Sequence, residues 1–89
     1  MNISKKYYSR MLSEVNPNTG HPEMLTVADL GDGIGIFYQN DRGLSTLIAF
    51  YQQADSGDAV RPISRAIESA VTLTVADLHE KVKTGLIVQ

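Results

Sequence analysis

The sequence contains no cysteine, so no disulfide can brace the fold and no thiolate can act as ligand or nucleophile. This absence fits a reducing compartment, and a cytoplasmic location is expected. No apolar run approaches the ~18 residues that cross a bilayer. Lys5, Lys6 and Arg10 interrupt the N-terminal stretch where a secretory signal would place its apolar segment. A soluble protein with no membrane partner is expected. Positive charge is also sparse, with eight Lys and Arg against ten Asp and Glu for a net −2. Residues 1–13 hold Lys5, Lys6 and Arg10 and no acid. Residues 14–58 hold Glu14, Glu23, Asp29, Asp32, Asp41, Asp55 and Asp58 against Arg42 alone, and an acidic middle opposes a phosphate lattice.

Signatures of catalysis and cofactor binding are missing as well. The glycines of Gly31-Asp32-Gly33-Ile34-Gly35 precede a strand-like run, whereas a phosphate loop needs a helix there, and no Gly-Lys-Ser/Thr follows. The same stretch fails as an EF-hand, because Gly31 stands at the third-position ligand after Asp29 and no glutamate closes the loop. His79-Glu80 lacks the second histidine of His-Glu-x-x-His, and His21 has no neighbour at metal-ligand spacing. There is no Gly-x-Ser-x-Gly, and the carboxylates form no evident pair. No cofactor and no metal ion are expected, and the chain reads as non-enzymatic.

What is present is a pattern for one small domain spanning residues 1–89. The stretch Met24–Gln52 reads as a three-stranded antiparallel meander. Asp32-Gly33 predicts a type I′ hairpin turn, which needs positive φ at both central residues. Asn40-Asp41-Arg42-Gly43 predicts a type I turn with Gly43 in a left-handed bulge position. Together the turns place Leu25, Val27, Ile34, Ile36, Tyr38, Ile48 and Phe50 on one core face, with Ile36 opposite Ile48 and Ile34 opposite Phe50. The other face carries Phe37, Leu47 and Tyr51 close together. Asp29 is the misfit, lying beside Ile36 on the apolar side. Leu44, Leu47, Ile48 and Tyr51 also fit a helical stripe, but the preceding turn and the Thr46–Tyr51 run favour a strand.

Residues 3–15 predict an N-terminal helix. Ile3, Tyr7, Tyr8, Met11, Leu12 and Val15 form its apolar stripe, Lys5, Lys6 and Arg10 lie outside, and Asn16-Pro17 stops it. Residues 16–23 are turn-forming, and 54–58 form a second loop. From Pro62 a helix buries Ile63, Ala66, Ile67, Ala70 and Val71, with Arg61, Ser64, Arg65 and Glu68 pointing away. Thr74 and Asp77 predict a capping box for a last helix, Leu73 can staple to Leu78, and Gly85 ends it. Leu86–Val88 suggests a short edge strand. The hexapeptide Leu-Thr-Val-Ala-Asp-Leu occurs at 25–30 and again at 73–78. The first copy runs into glycines and a hairpin and the second into a helical sequence, so context assigns them different structures.

The expected class is α+β, ordered α-β-β-β-α-α, with helices on the apolar sheet face. Two functions follow from different evidence. Clustered aromatics with a polar rim suit a protein-binding module acting through Phe37, Leu47 and Tyr51 and an acidic surface at Asp29, Asp32 and Asp41. Its size and ordinary composition suggest an inhibitor or regulator carried by a bacterial phage or other mobile element, and homodimerisation would supply stability that so short a chain lacks. The alternative is nucleic-acid binding. The order helix, three strands, helix over residues 3–72 is similar to the double-stranded-RNA-binding domain. Where that family carries a lysine cluster at the start of its last helix, this chain has Arg61 and Arg65. The outer face of the expected first helix would add Lys5, Lys6 and Arg10 as a phosphate-contacting stripe, so the nucleic-acid surface expected is Lys5, Lys6, Arg10, Arg61 and Arg65. The last two helices also resemble a helix-turn-helix, although the second presents Asp77 and Glu80 where a recognition helix offers basic or amide groups.

Overall fold

Four antiparallel strands precede two helices. In the computed structural model, which describes residues 5–53, 60–84 and the strand at 87–88, β1 (Lys5–Met11), β2 (Met24–Asp29), β3 (Gly33–Gln39) and β4 (Ser45–Gln52) lie side by side in chain order. Helices α1 (Val60–Thr72) and α2 (Val75–Thr84) follow, and β5 (Ile87–Val88) returns parallel to the far edge of β4. The order is therefore β-β-β-β-α-α with a short fifth strand. The expected loop at 54–58 and the glycine stop at Gly85 lie outside the described residues.

The expected N-terminal helix is corrected to a strand. Leu25, Val27 and Ala28 of β2 are wholly buried, so the outer backbone groups of β2 need a partner strand. β1 supplies it, with Arg10 opposite Leu25 and Tyr8 opposite Val27. The register shifts between Lys6 and Tyr8, leaving Tyr7 as the extra residue of a bulge. Tyr7 and Tyr8 consequently both pack against the core. Two adjacent inward residues imitate the i, i+4, i+5 spacing of a helix, which is why the stripe misled.

The first hairpin also differs from expectation. Leu30 N–H donates to the Gly33 carbonyl at 2.9 Å, and Gly31 alone of the loop has positive φ, at 92°. The turn is Gly31-Asp32 with glycine first, the type II′ pattern. Asp29 thus stands opposite Ile34 rather than Ile36. The slip is even, so every β2 and β3 side chain keeps its expected face. The second turn forms as expected, with Gly43 at φ 82° and Asn40 Oδ1 accepting from the Arg42 and Leu44 amides.

β4 is a strand throughout Ser45–Gln52, but its register changes halfway. Phe37 pairs with Leu47 as expected, whereas Ile36 pairs with Ala49 and Ile34 with Tyr51. Ile48 is the extra residue, so Ile48 and Ala49 are consecutive and both buried. Beyond it the shift is odd, and each side chain changes face. Tyr51 therefore joins the core and Phe50 leaves it, a correction to the expected apolar face.

Both helices cover the same side of the sheet. Ala66 and Ala70 of α1 and Leu78 of α2 are fully buried against Leu25, Val27, Ile36 and Ile48. The small alanines let the α1 backbone approach the strands closely. The capping box forms: Thr74 N–H donates to Asp77 Oδ2 at 3.0 Å, and Asp77 N–H donates to Thr74 Oγ1 at 3.1 Å. The Thr74 backbone N–H, joined by the Thr74 side chain, holds the Asp77 carboxyl below its usual range. The repeated hexapeptide is a strand in one copy and a helix start in the other.

Candidate functional site

The side of the sheet away from the helices gathers the aromatics that face out. Cross-strand pairing puts Gly35 opposite Phe50 and Phe37 opposite Leu47 there. A methyl group placed at Gly33 would stand 2.5 Å from the Phe50 ring, and one at Gly35 would meet Leu47 at 2.7 Å and Leu30 at 2.9 Å. The two glycines therefore form a trough into which Leu30, Phe37, Leu47 and Phe50 settle. Phe37 is 7% exposed, while Leu30, Leu47 and Phe50 remain half-buried. The result is a low apolar patch flanked by the uncharged Thr26, Gln39, Ser45 and Gln52, with Lys6 on the same face beyond Ala28.

A second cluster lies where α2 crosses the sheet. Tyr38 donates its hydroxyl to Glu23 Oε1. His79 Nε2 stands 3.0 Å from that same oxygen and 3.2 Å from the hydroxyl, with its ring edge-on to Tyr38 at 5.7 Å. The bonds from Tyr38 and His79 lower the Glu23 pKa. Burial, reinforced by Glu23, pushes the Tyr38 phenol well above its usual value. Glu23 thus stays ionised and Tyr38 stays protonated across ordinary pH, so the cluster works as a tie between helix and sheet. Its members come from separate parts of the chain, and no local spacing announces them.

No family model matches this chain. No curated protein and no solved structure matches it either. The functional reading rests on the placement of its residues.

Of the expected protein-binding residues, Phe37 and Leu47 lie together on the helix-free face. Tyr51 lies on the opposite face, 8% exposed among the core residues. Phe50, which the expected register buried, takes its place beside Leu47. The acidic residues do not converge. Asp29 Oδ1 accepts from the Gly31 amide at 2.8 Å, and Asp32 is exposed in the same turn. Asp41 sits at the far end of β3, roughly 25 Å away by strand rise. There it accepts from Asn16 Nδ2 at 3.0 Å, and its carbonyl accepts from Thr19 Oγ1. His21 closes this end of the molecule, its ring 2.8 Å from where a Gly43 methyl would sit.

The cations expected to contact phosphate are divided as well. Lys6 pairs with Ala28 on the helix-free side. Lys5 lies 5.2 Å from the Tyr7 ring centre on the other side. Arg10 turns inward and donates from Nη2 to the carbonyls of Ala70 and Leu73 at 3.0 and 2.9 Å, capping α1. Arg61 and Arg65 are exposed on α1. Among the described residues no group of three metal-ligating side chains occurs, and no helix is long and apolar enough to cross a membrane.

Proposed function

We propose that this chain is a small protein-binding module, a regulator or inhibitor of its partner, that docks through the helix-free face of its sheet. The observation that carries this reading is the apolar patch of Leu30, Leu47 and Phe50 over Gly33 and Gly35, left half-open while both helices pack elsewhere. The partner surface is apolar and uncharged at its centre, since Thr26, Gln39, Ser45 and Gln52 beside the patch offer side-chain amides and hydroxyls, and Lys6 stands farther out beyond Ala28. Asp32 lies beyond the trough at one end of the face and adds a charge to the rim. Nucleic-acid binding has less support, because Lys5, Lys6, Arg10, Arg61 and Arg65 share no surface.

The test compares wild-type and Phe50→Ala chains, each tagged, in pull-downs from bacterial lysate with and without nuclease. A stoichiometric protein retained by wild type and weakened at least about fivefold by Phe50→Ala, at unchanged fold by circular dichroism, is the expected result. Equal retention by both chains overturns the reading. Recovery of salt-sensitive nucleic acid in place of protein also overturns it.

A further inference from the structure

The two edges of the sheet are built differently. Both edge strands contain a bulge, at Tyr7 and at Ile48, but only β1 adds charge, with Lys5, Lys6 and an inward-turned Arg10, a device that keeps an edge strand from pairing with another chain. β4 is Ser-Thr-Leu-Ile-Ala-Phe-Tyr-Gln, eight residues without a charge or a proline. Among the described residues, β5 covers its outer edge only opposite Ala49 and Phe50. Beside β4, an open groove of about 450 Å³ runs between Tyr51 and the Arg65, Glu68, Ser69 and Thr72 flank of α1.

We propose that the outer edge of β4 is a strand-addition site for an extended, uncharged peptide segment of another protein, and that β5 is the chain's own occupant of that site. A strand added to a sheet edge draws affinity from main-chain hydrogen bonds and selectivity from pockets that meet alternate side chains. Both parts are present here: eight residues of uncharged edge, and a groove between strand and helix at one side of it. The groove wall contains Arg65, Glu68, Ser69 and Thr72, so the side chains entering it are polar, while alternate ones lie toward the helix-free side. The backbone pairing of β5 shows that this edge accepts a parallel strand. A two-residue pairing is short enough for a longer peptide to displace, and being intramolecular it competes at a high effective concentration. This site is distinct from the patch at Leu47 and Phe50 and does not depend on it.

The probe is a synthetic peptide, Thr-Gly-Leu-Ile-Val-Gln, with the sequence of residues 84–89. It is titrated into isotope-labelled full-length chain, wild type and Ile87→Pro. Proline removes an amide donor from β5 and weakens its hold on β4. The expected result is at least about tenfold tighter binding to Ile87→Pro than to wild type, with amide shifts centred on Ala49–Tyr51. A control peptide with proline at both the Ile and Val positions leaves those amides unmoved. Val88→Pro repeats the measurement should Ile87→Pro fail to fold. Equal affinity for wild type and the variant, shifts confined to residues away from β4, or equal binding of the proline peptide each overturns the proposal.

Discussion

The guanidinium Nη2 of Arg10 lies 3.0 Å from the carbonyl oxygen of Ala70, joining the first strand to the end of a helix 60 positions later. The last carbonyls of α1 have no partner within the helix, and the Arg10 side chain satisfies that of Ala70 together with the Leu73 carbonyl just beyond the helix end, while complementing the helix dipole. Arg10 Nε is buried without an acceptor among the described residues, so the Nη2 contacts have to offset that cost.

Replacing Arg10 with alanine is expected to lower unfolding free energy by about 1.5–3 kcal/mol, the range for hydrogen bonds from a charged donor. Arg10→Lys, which supplies charge without the planar fork, restores only part of it. Urea denaturation measures both. If Arg10 were an exposed phosphate contact, neither variant would change stability.

Acid and alkali should act on the Glu23–Tyr38–His79 tie in opposite ways. The folded pKa of Glu23 lies below its unfolded value of 4.5, so its contribution is complete above pH 4.5 and is lost as pH falls through the folded value. The folded pKa of Tyr38 lies above its unfolded value of 10.0. Above that pH the unfolded chain releases a proton that the folded chain retains, and stability falls. Urea midpoints across pH should therefore decline at both ends, with Glu23→Gln flattening the acid limb and Tyr38→Phe the alkaline one. Unaltered limbs in these variants would show that other groups carry the dependence.

Phe50 and Tyr51 should separate binding from stability. Tyr51→Ala empties a core position and is expected to cost about 3–5 kcal/mol. Phe50, half-buried on the other face, should cost about 1–2 kcal/mol on truncation, since only part of its area leaves water. Phe37, at 7% exposure, belongs with Tyr51 in this comparison. Thermal and urea melts of the three alanine variants give the order, and a Phe50→Ala cost equal to that of Tyr51→Ala would argue against the bulge at Ile48.

Much of the architecture was legible where a signal acts within a few residues. Gly43 declares its turn because only a residue tolerant of positive φ fits there, and Thr74 with Asp77 declares a helix start because each side chain reaches the other's amide. The Leu25, Val27, Ile34, Ile36 and Tyr38 face was legible even though the turn was placed one residue late, because the two-residue register slip that results preserves the alternation of a strand. The two larger failures share one cause. An extra residue at Tyr7 or at Ile48 has no local signature, because it is defined only against the strand opposite. At Tyr7 it made a strand resemble a helix, and at Ile48 it exchanged the faces of Phe50 and Tyr51, taking one member of the expected site into the core.

By itself, the sequence determined the turn that Gly43 closes, the helix cap, the identity of most core side chains and the absence of disulfide chemistry, all properties of neighbouring residues or of composition. Only the tertiary structure decided that the first segment is a strand, that Arg10 caps a helix rather than meeting solvent, and that Glu23, Tyr38 and His79 converge. The first two depend on which distant backbone groups must be satisfied once β2 and α1 are buried, and the third on where packing sets α2 against the sheet; both requirements exist only after the chain has folded.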